Sequence, residues 1–208
     1  MHTVTEQITN ALSTTGWYVG DSIFSASLTT DLSNQGCRLS SAGQLNAAHV
    51  GRADGAQLSE RSRSDDTLWL TDVPHDASER EALAAVNTLR RHLNESLYLG
   101  ARSTELHFAR YAPGAFYVKH RDRFRDSDAR VVSMVFYLNE TWADDAGGEL
   151  VIYDDDAEGT RLACVSPRSG TMVCFLSDRF PHEVLPATRE RLSLTGWLSR
   201  DQPHPQPQ

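Results

Sequence analysis

Three residues in the second half of the chain have the side chains and the spacing of a metal site. His120 and Asp122 are two positions apart, and residues with that spacing in an extended strand point to the same side, so both can bind one ion. His182 lies sixty residues after Asp122 and supplies a third ligand if the fold returns it to the first pair. Two histidines and one carboxylate suit Fe(II) and leave adjacent coordination positions open. A lone His-x-Asp is common by chance, so the surrounding elements must support this prediction.

Short β-rich segments separated by turn residues surround these ligands. Their composition predicts eight strands, which span Thr104 to Tyr111, Phe116 to His120, Val131 to Leu138, Glu149 to Tyr153, Arg161 to Val165, Thr171 to Leu176, His182 to Leu185 and Arg191 to Leu198. Eight short strands favour a double-stranded β-helix, or jelly roll, whose interior can hold a site. The metal ligands would then lie at strand ends.

The first half of the chain is predicted to be mainly helical. Segments Thr5 to Ser13 and Ser25 to Leu39 have patterns that permit helices. The clearest helix follows Pro74, where Ser78 to Glu81 has the pattern of a capping box and Gly100 ends the apolar repeat. Its apolar stripe requires a partner, which the strands provide. The expected fold class is therefore α+β with a mainly β core, a jelly roll supported by N-terminal helices.

A chain of 208 residues is long enough for one sizeable core and too short for two ordinary domains. We expect a single catalytic domain over residues 1–200, with helical support in 1–100 and the jelly-roll core in 101–200. Residues 51–66 are polar and are predicted to form a mobile loop, of the kind that often covers a substrate. Residues 201–208, rich in Gln and Pro, are expected to be a disordered tail.

Charge and cysteine content limit the partners and the compartment. The net charge of -8, without any block of Lys or Arg, argues against a nucleic-acid partner. No stretch approaches the roughly 20 apolar residues of a membrane span, so no membrane partner is expected. Three cysteines without Cys-x-x-Cys spacing, and an N-terminus without a signal-peptide pattern, indicate a cytoplasmic protein.

A series of motifs in the second half resembles the prolyl 4-hydroxylase group of 2-oxoglutarate oxygenases. In chain order the motifs are Tyr117 to Asp122, Val135 to Asn139, Gly147 to Leu150, Phe180 to Val184, and Arg191 followed by Thr195 to Trp197. The resemblance covers Thr104 to Ser199 and is strongest to the hypoxia-sensing prolyl hydroxylases of animals and their bacterial relatives. It implies Fe(II) bound by His120, Asp122 and His182, with 2-oxoglutarate and O2 as cosubstrates and ascorbate as a supporting reductant.

The same resemblance assigns the 2-oxoglutarate site. Arg191, nine residues after His182, would bind the distal carboxylate, which a guanidinium can grip with two parallel hydrogen bonds. Tyr137 would share that carboxylate, and Tyr111 would lie near the iron-bound end. For each tyrosine, ring packing with an incidental hydrogen bond is the alternative.

Alternation along the last predicted strand extends this assignment. If Arg191 points into the barrel, so do Ser193, Thr195 and Trp197, whereas Leu192, Leu194 and Leu198 face the helices. We therefore expect Thr195 and Trp197 to line the cosubstrate site. Arg189 has the same parity as Arg191, but it lies in a turn after Pro186 and is expected to be solvated.

Residues before Trp69 resemble the substrate loop of the same group. Arg63, Ser64 and Asp65 match its Arg-Gly-Asp, with Ser64 in place of Gly. The resemblance implies that Arg63 and Asp65 bind substrate and that the loop folds over an extended peptide. Ser64 in place of Gly, and the divergence of the first sixty residues from the group, bear on the identity of the substrate more than on the chemistry.

The reaction implied is hydroxylation of a prolyl residue in a protein, with release of succinate and CO2. Bacterial members of the group are associated with the translation machinery, including elongation factor Tu, so a translation factor is the first substrate hypothesis. The alternatives are hydroxylation of a free amino acid or small metabolite, and a non-catalytic jelly-roll module that binds metal or an organic acid. A zinc hydrolase with the same ligands would leave Arg191 and Tyr137 without a role.

Other chemically capable side chains are assigned structural roles. His107 lies beside an apolar stretch and is expected to be a strand residue with an ordinary hydrogen bond. Cys164 and Cys174 are expected to be small apolar core residues, as free cysteines usually are.

Overall fold

Two antiparallel β-sheets form the centre of the protein in its computed structural model, which describes residues 2–50, 57–58, 62–122 and 129–201. The helices of this part are α1 (Val4–Thr14), α2 (Ala26–Ser41) and α3 (Ala77–Leu97). The strands are β1 (Trp17–Asp21), β2 (Asn46–Ala47), β3 (His49–Val50), β4 (Gln57–Leu58), β5 (Asp66–Trp69), β6 (Ser103–Tyr111), β7 (Tyr117–His120), β8 (Arg130–Tyr137), β9 (Leu150–Tyr153), β10 (Arg161–Val165), β11 (Thr171–Leu176), β12 (His182–Val184) and β13 (Arg191–Ser199). All eight strands predicted in the second half are present.

The strands form a major and a minor sheet. The major sheet has seven strands in the order β1-β11-β8-β13-β6-β5-β2, and the minor sheet has four in the order β10-β9-β12-β7. β3 and β4 pair with each other. From β6 onwards the chain passes back and forth between the two sheets, which enclose one interior core, as in a jelly roll. The predicted fold class, a double-stranded β-helix with supporting helices, is confirmed.

The major sheet separates two apolar cores because its side chains alternate. In β8, Val132, Met134 and Phe136 pack against the helices, whereas Val135 and Tyr137 face the minor sheet. The core between the major sheet and the helices, here called the outer core, also contains the apolar stripe of α3. This stripe comprises Ala82, Val86, Leu89 and Leu93. Burial of each large apolar side chain contributes about 1.5–3 kcal/mol to the stability of the fold through the hydrophobic effect. The helices thus pack on and stabilise one face of the major sheet, and the opposite face of that sheet lines the interior between the two sheets.

The N-termini of α1 and α3 are capped by side chains. In α1, Thr3 forms a capping box with Glu6. The predicted capping box of α3 at Ser78 is wrong, because Asp76 is the N-cap and accepts hydrogen bonds from the backbone N–H groups of Ser78 and Glu79. An ionised carboxylate at a helix N-terminus also interacts favourably with the helix dipole. No helix of the described residues is long and apolar enough to cross a membrane.

The predicted loop at residues 51–66 is described only in part. Residues 51–56 and 59–61 lie outside the described residues. The mobility predicted for this loop therefore stays a prediction. Around them the backbone is paired, since β3 forms a ladder with β4 and Asp66 begins β5 beside β6. The predicted disordered tail comprises residues 201–208, of which 202–208 lie outside the described residues.

The free cysteines differ in their environments. Cys174 is buried in the outer core, as predicted. Cys164 is exposed, so the prediction of a core position is wrong for it. The reason is topological: β10 is an edge strand of the minor sheet, and Val165 rather than Cys164 points into the interior.

Candidate active site

The predicted metal ligands meet at the minor sheet. His120 ends β7 and His182 begins β12, and the antiparallel pairing of these strands puts the two residues directly opposite each other. The centroids of their rings are 4.3 Å apart. Asp122 follows β7, and one ligand atom from each of the three residues lies within 4.8 Å of the others. The fold therefore groups residues that are sixty positions apart in sequence closely enough to bind one ion.

Both histidines are oriented by hydrogen bonds to the backbone. Nδ1 of His120 lies 2.8 Å from the carbonyl oxygen of Val118. Nδ1 of His182 lies 3.1 Å from the carbonyl oxygen of Phe180. Because a carbonyl only accepts, each Nδ1 donates its hydrogen and each Nε2 retains a free lone pair. The Nε2 atoms lie 3.5 and 3.6 Å from the Asp122 carboxylate, an orientation typical of metal-binding histidines.

Burial and mutual charge set the protonation of this cluster. Burial alone would raise the pKa of Asp122, but His182, His120 and the nearby Arg130 hold that pKa well below its usual range. Burial lowers the pKa of His182 to about 4, although the charge of Asp122 opposes the change. At neutral pH Asp122 is therefore ionised and His182 is neutral. These are the protonation states that bind a metal ion.

Arg191 is a buried cation on the inner face of β13, with 2% of its surface exposed. Its guanidinium lies 4.9 Å from the ring of Tyr111 and 5.1 Å from the ring of Tyr137. Within the described residues no carboxylate forms an ion pair with it. Buried charges are ordinarily paired. The interior of the barrel therefore offers a cationic position for an anionic ligand.

A tight turn of two glycines orients this arginine. Gly147 and Gly148 both have positive φ, at 71° and 76°, and a Cβ on Gly147 would lie 2.4 Å from the carbonyl oxygen of Pro186. Only glycine adopts this turn without strain. The carbonyl oxygen of Gly148 accepts a hydrogen bond of 3.0 Å from Nε of Arg191. The Gly-Gly motif thus fixes one side of the guanidinium and leaves its terminal nitrogens for a ligand.

Three buried polar atoms of the described residues have no hydrogen-bond partner: the Tyr137 hydroxyl, Nε1 of Trp197 and Nδ1 of His107. All three residues lie on the inner face of the major sheet. Each such atom costs roughly 1–3 kcal/mol unless a ligand satisfies it. Burial raises the pKa of Tyr137 to about 12, against the charge of Arg191, so its hydroxyl keeps a proton to donate. The Tyr137 hydroxyl lies beside Arg191, and these two donors suit one carboxylate of a dicarboxylate such as 2-oxoglutarate.

Alternation along β13 follows the predicted pattern. Leu192, Leu194 and Leu198 belong to the outer core with the helices. Thr195 points to the opposite side of the sheet from these leucines, and its hydroxyl lies 3.2 Å from that of Ser193. Trp197 also has the inner parity, and the guanidinium of Arg130 lies 3.5 Å above its ring. The two predicted cosubstrate residues, Thr195 and Trp197, therefore lie on the same face as Arg191.

His107 lies in β6, as expected for a strand residue, but its Nδ1 has no hydrogen-bond partner among the described residues. Its ring is 2% exposed and lies between Trp69 and Trp197, with centroid distances of 4.5 and 5.3 Å. Burial lowers the pKa of His107 to about 3, and the charges of Arg63 and Arg130 act in the same direction. No local signal predicts this environment, because the two tryptophans come from distant strands.

The predicted substrate-loop residues pair with each other. Arg63 donates hydrogen bonds of 2.7 and 2.6 Å to the two oxygens of Asp65. The side chain of Asp65 is fully buried and that of Arg63 is 13% exposed. The guanidinium lies 4.5 Å from the ring of Tyr117, and that ring stacks on His120. The loop residues are therefore next to the metal cluster, on the side of β7.

Comparison with known proteins agrees with this architecture. Residues 106–199 match the 2OG-Fe(II) oxygenase superfamily. A hypoxia-inducible factor prolyl hydroxylase of Caenorhabditis elegans is 29% identical over 93% of this chain and 28% of its own length. Human Egl nine homolog 1 is 30% identical over 69% of this chain and 36% of its own length. The chain thus spans about a third of the length of these curated relatives.

Solved structures extend the similarity to nearly the whole chain. A prolyl-4-hydroxylase of Pseudomonas putida is 40% identical, with a TM-score of 0.86, and the match covers 95% of this chain and 100% of that one. A prolyl hydroxylase of Trichoplax adhaerens, in complex with a peptide of the hypoxia-inducible factor oxygen degradation domain, is 25% identical. Its TM-score is 0.83, with coverage of 95% and 89%. The chain therefore belongs to the 2OG-Fe(II) oxygenase superfamily, whose enzymes use Fe(II), 2-oxoglutarate and O2, and within it is similar to prolyl hydroxylases.

Proposed function

We propose that the protein hydroxylates a prolyl residue in a protein substrate, with His120, Asp122 and His182 as the iron ligands. The three ligand atoms lie within 4.8 Å of one another, and the ionised Asp122 and neutral His182 are in the protonation states that bind a metal ion. Three protein ligands leave adjacent coordination positions for cosubstrates. When bound, iron, 2-oxoglutarate and O2 convert a C–H bond to C–OH and release succinate and CO2.

The observation that carries this proposal is Arg191. A guanidinium that is 2% exposed and has no acidic partner among the described residues is unfavourable unless an anion binds it. We assign it the distal carboxylate of 2-oxoglutarate, with the Tyr137 hydroxyl as a second donor. Tyr111, whose ring lies on the other side of the guanidinium, would complete the walls of the pocket with Thr195 and Trp197.

These residues contribute binding, orientation and the exclusion of water. A buried cation that grips one end of 2-oxoglutarate fixes the distance of its other end from the metal ligands. The apolar interior around Val135 and Phe175 keeps bulk water from the metal, which protects a reactive oxidant from side reactions. The difficult electron chemistry belongs to the bound groups rather than to a side chain.

We further propose a peptide as the substrate, in the cytoplasm, with a translation factor such as elongation factor Tu as the first protein to test. Support for a peptide comes from the Trichoplax adhaerens relative, which was solved with a peptide of the hypoxia-inducible factor. Support for a reducing compartment comes from the three cysteines, all of which are free. We assign Arg63 and Asp65 to the peptide side of the site because the Arg63 guanidinium lies beside the Tyr117 ring that stacks on His120.

The direct test is formation of succinate from 2-oxoglutarate in air by protein loaded with Fe(II) under anaerobic conditions. The assay is run with and without cell lysate, and with His182→Ala as the inactive control. We expect succinate to form slowly without lysate and faster with it, and not at all in the variant. Absence of succinate in every sample would overturn the proposal, and stimulation by the small-molecule fraction of the lysate alone would redirect it to a metabolite.

A further inference from the structure

The segment before β5 connects the two sheets beside the metal cluster. Its backbone pairs with β7: the N–H of Ser64 donates to the carbonyl oxygen of Phe116 at 3.1 Å, and the N–H of Val118 donates to that of Ser62 at 2.9 Å. The Ser64 hydroxyl accepts a third bond, from the N–H of Phe116. From Asp66 onwards the same segment belongs to the major sheet. Residues 62–69 therefore bridge the minor and the major sheet.

A buried ion pair holds this bridge in one conformation. Both oxygens of Asp65 accept hydrogen bonds from Arg63, and the Asp65 side chain is fully buried. Burial disfavours the charge of Arg63, but the bonds to Asp65 outweigh it and raise the pKa of the guanidinium. Removing one partner of such a pair leaves an uncompensated buried charge and is strongly destabilising. Arg63 therefore has one strongly preferred position.

That position is directly behind a metal ligand. The Arg63 guanidinium lies 4.5 Å from the centroid of the Tyr117 ring. The Tyr117 ring in turn stacks on His120, with centroids 3.6 Å apart and planes 16° apart. Arg63 therefore contacts the same Tyr117 ring that stacks on His120 at the metal cluster. The hydrogen bond to Val118 fixes the His120 ring at its edge, and the stack fixes it at its face.

We infer that Arg63 and Tyr117 are positioning residues for the metal ligand His120. This inference rests on the proposed metal site and gives Arg63, expected from sequence to bind substrate, a second role. A ligating histidine must hold Nε2 towards the ion, and groups that orient such rings typically change metal affinity 10–100-fold when removed. A peptide that displaces residues 62–64 would consequently change the contacts that orient His120 and, through them, the affinity for the metal ion.

The test measures Mn(II) affinity of the full, metal-free chain by titration, with free Mn(II) followed by its paramagnetic resonance signal. Tyr117→Leu and Arg63→Gln should each bind Mn(II) about 10-fold more weakly than the native protein. Tyr117→Phe keeps the stacked ring and should bind normally. If Arg63→Gln does not fold because Asp65 remains charged, Arg63→Met combined with Asp65→Asn removes both charges and gives the same weakening.

Asp66→Asn is the matched control. Asp66 follows Asp65 and also pairs with an arginine, at 3.0 Å from Arg110, but that pair is partly exposed and does not contact Tyr117. This variant should bind Mn(II) as the native protein does. Native affinity in Tyr117→Leu and in the double variant, together with lost binding in His182→Ala, would overturn the inference alone. No Mn(II) binding by the native chain would overturn the proposed metal site as well.

Discussion

At the scale of single residues, the interior of the barrel combines a metal-binding cluster, in which Asp122 is ionised and His182 is neutral, with a buried cation, Arg191. His182 and Asp122 are in the protonation states that bind an ion, because burial lowers the pKa of the histidine and the histidines lower the pKa of the carboxyl. Arg191 supplies a positive charge without an acidic partner among the described residues. Each feature is unfavourable in isolation, and bound ligands account for both.

Replacement of Arg191 should act on 2-oxoglutarate rather than on the metal. Arg191→Gln removes a buried charge that we assign to a carboxylate, a change that typically costs 2–5 kcal/mol. We expect the KM for 2-oxoglutarate to rise about 30-fold or more, with Mn(II) affinity unchanged. Arg189→Gln is the control, since Arg189 is exposed and two residues away. An unchanged KM in Arg191→Gln would remove the cosubstrate assignment.

His107 should make stability depend on pH. Its pKa is about 3 in the fold and 6.5 in the reference state, so the unfolded chain binds more protons between those values. The free energy of unfolding should therefore rise as pH rises from 3 to 6.5, by on the order of a few kcal/mol from this group. His107→Phe should flatten this rise in denaturant titrations with chelator present. Equal slopes for His107→Phe and the native protein would contradict the assignment; replacement of the exposed His75 is the control.

At the scale of elements, alternation made much of the site predictable. In β13 the leucines face the helices and Arg191, Thr195 and Trp197 face the interior, which a two-residue period alone predicts. The pairing of β7 with β12 could not be derived from spacing, because sixty residues intervene. The environment of His107 was missed for the same reason, since Trp69 and Trp197 come from other strands.

The start of α3 offers a prediction at this scale. The pattern Ser-x-x-Glu suggests Ser78 as the cap, but Asp76 accepts the bonds from the helix N-terminus. Asp76→Ala should lower the free energy of unfolding by about 1 kcal/mol, the usual contribution of an N-cap. Asp76→Asn should retain most of it. Both variants should keep the native KM for 2-oxoglutarate, because α3 packs on the outer face of the major sheet; a raised KM would indicate that the two faces are coupled.

At the scale of the whole molecule, the helices pack on the outer face of the major sheet, and the candidate site lies between the major and the minor sheet. We propose that residues 1–200 form one catalytic domain, because α1, α2 and α3 share a single outer core with the major sheet. The bridge of residues 62–69 connects the sheets at the side where the metal ligands lie. A substrate peptide at this side would meet the bridge, the stack on His120 and the metal in succession.

The central claim, hydroxylation of a protein prolyl residue, is tested most directly with isotopically labelled oxygen. Lysate treated with the Fe(II)-loaded protein, 2-oxoglutarate and ¹⁸O2 is digested and analysed by mass spectrometry, with His182→Ala treated in parallel. We predict a protein in which one proline gains a single ¹⁸O atom with the native enzyme only. Vigorous succinate formation without any labelled proline, in lysate that contains the full set of translation factors, would contradict the claim.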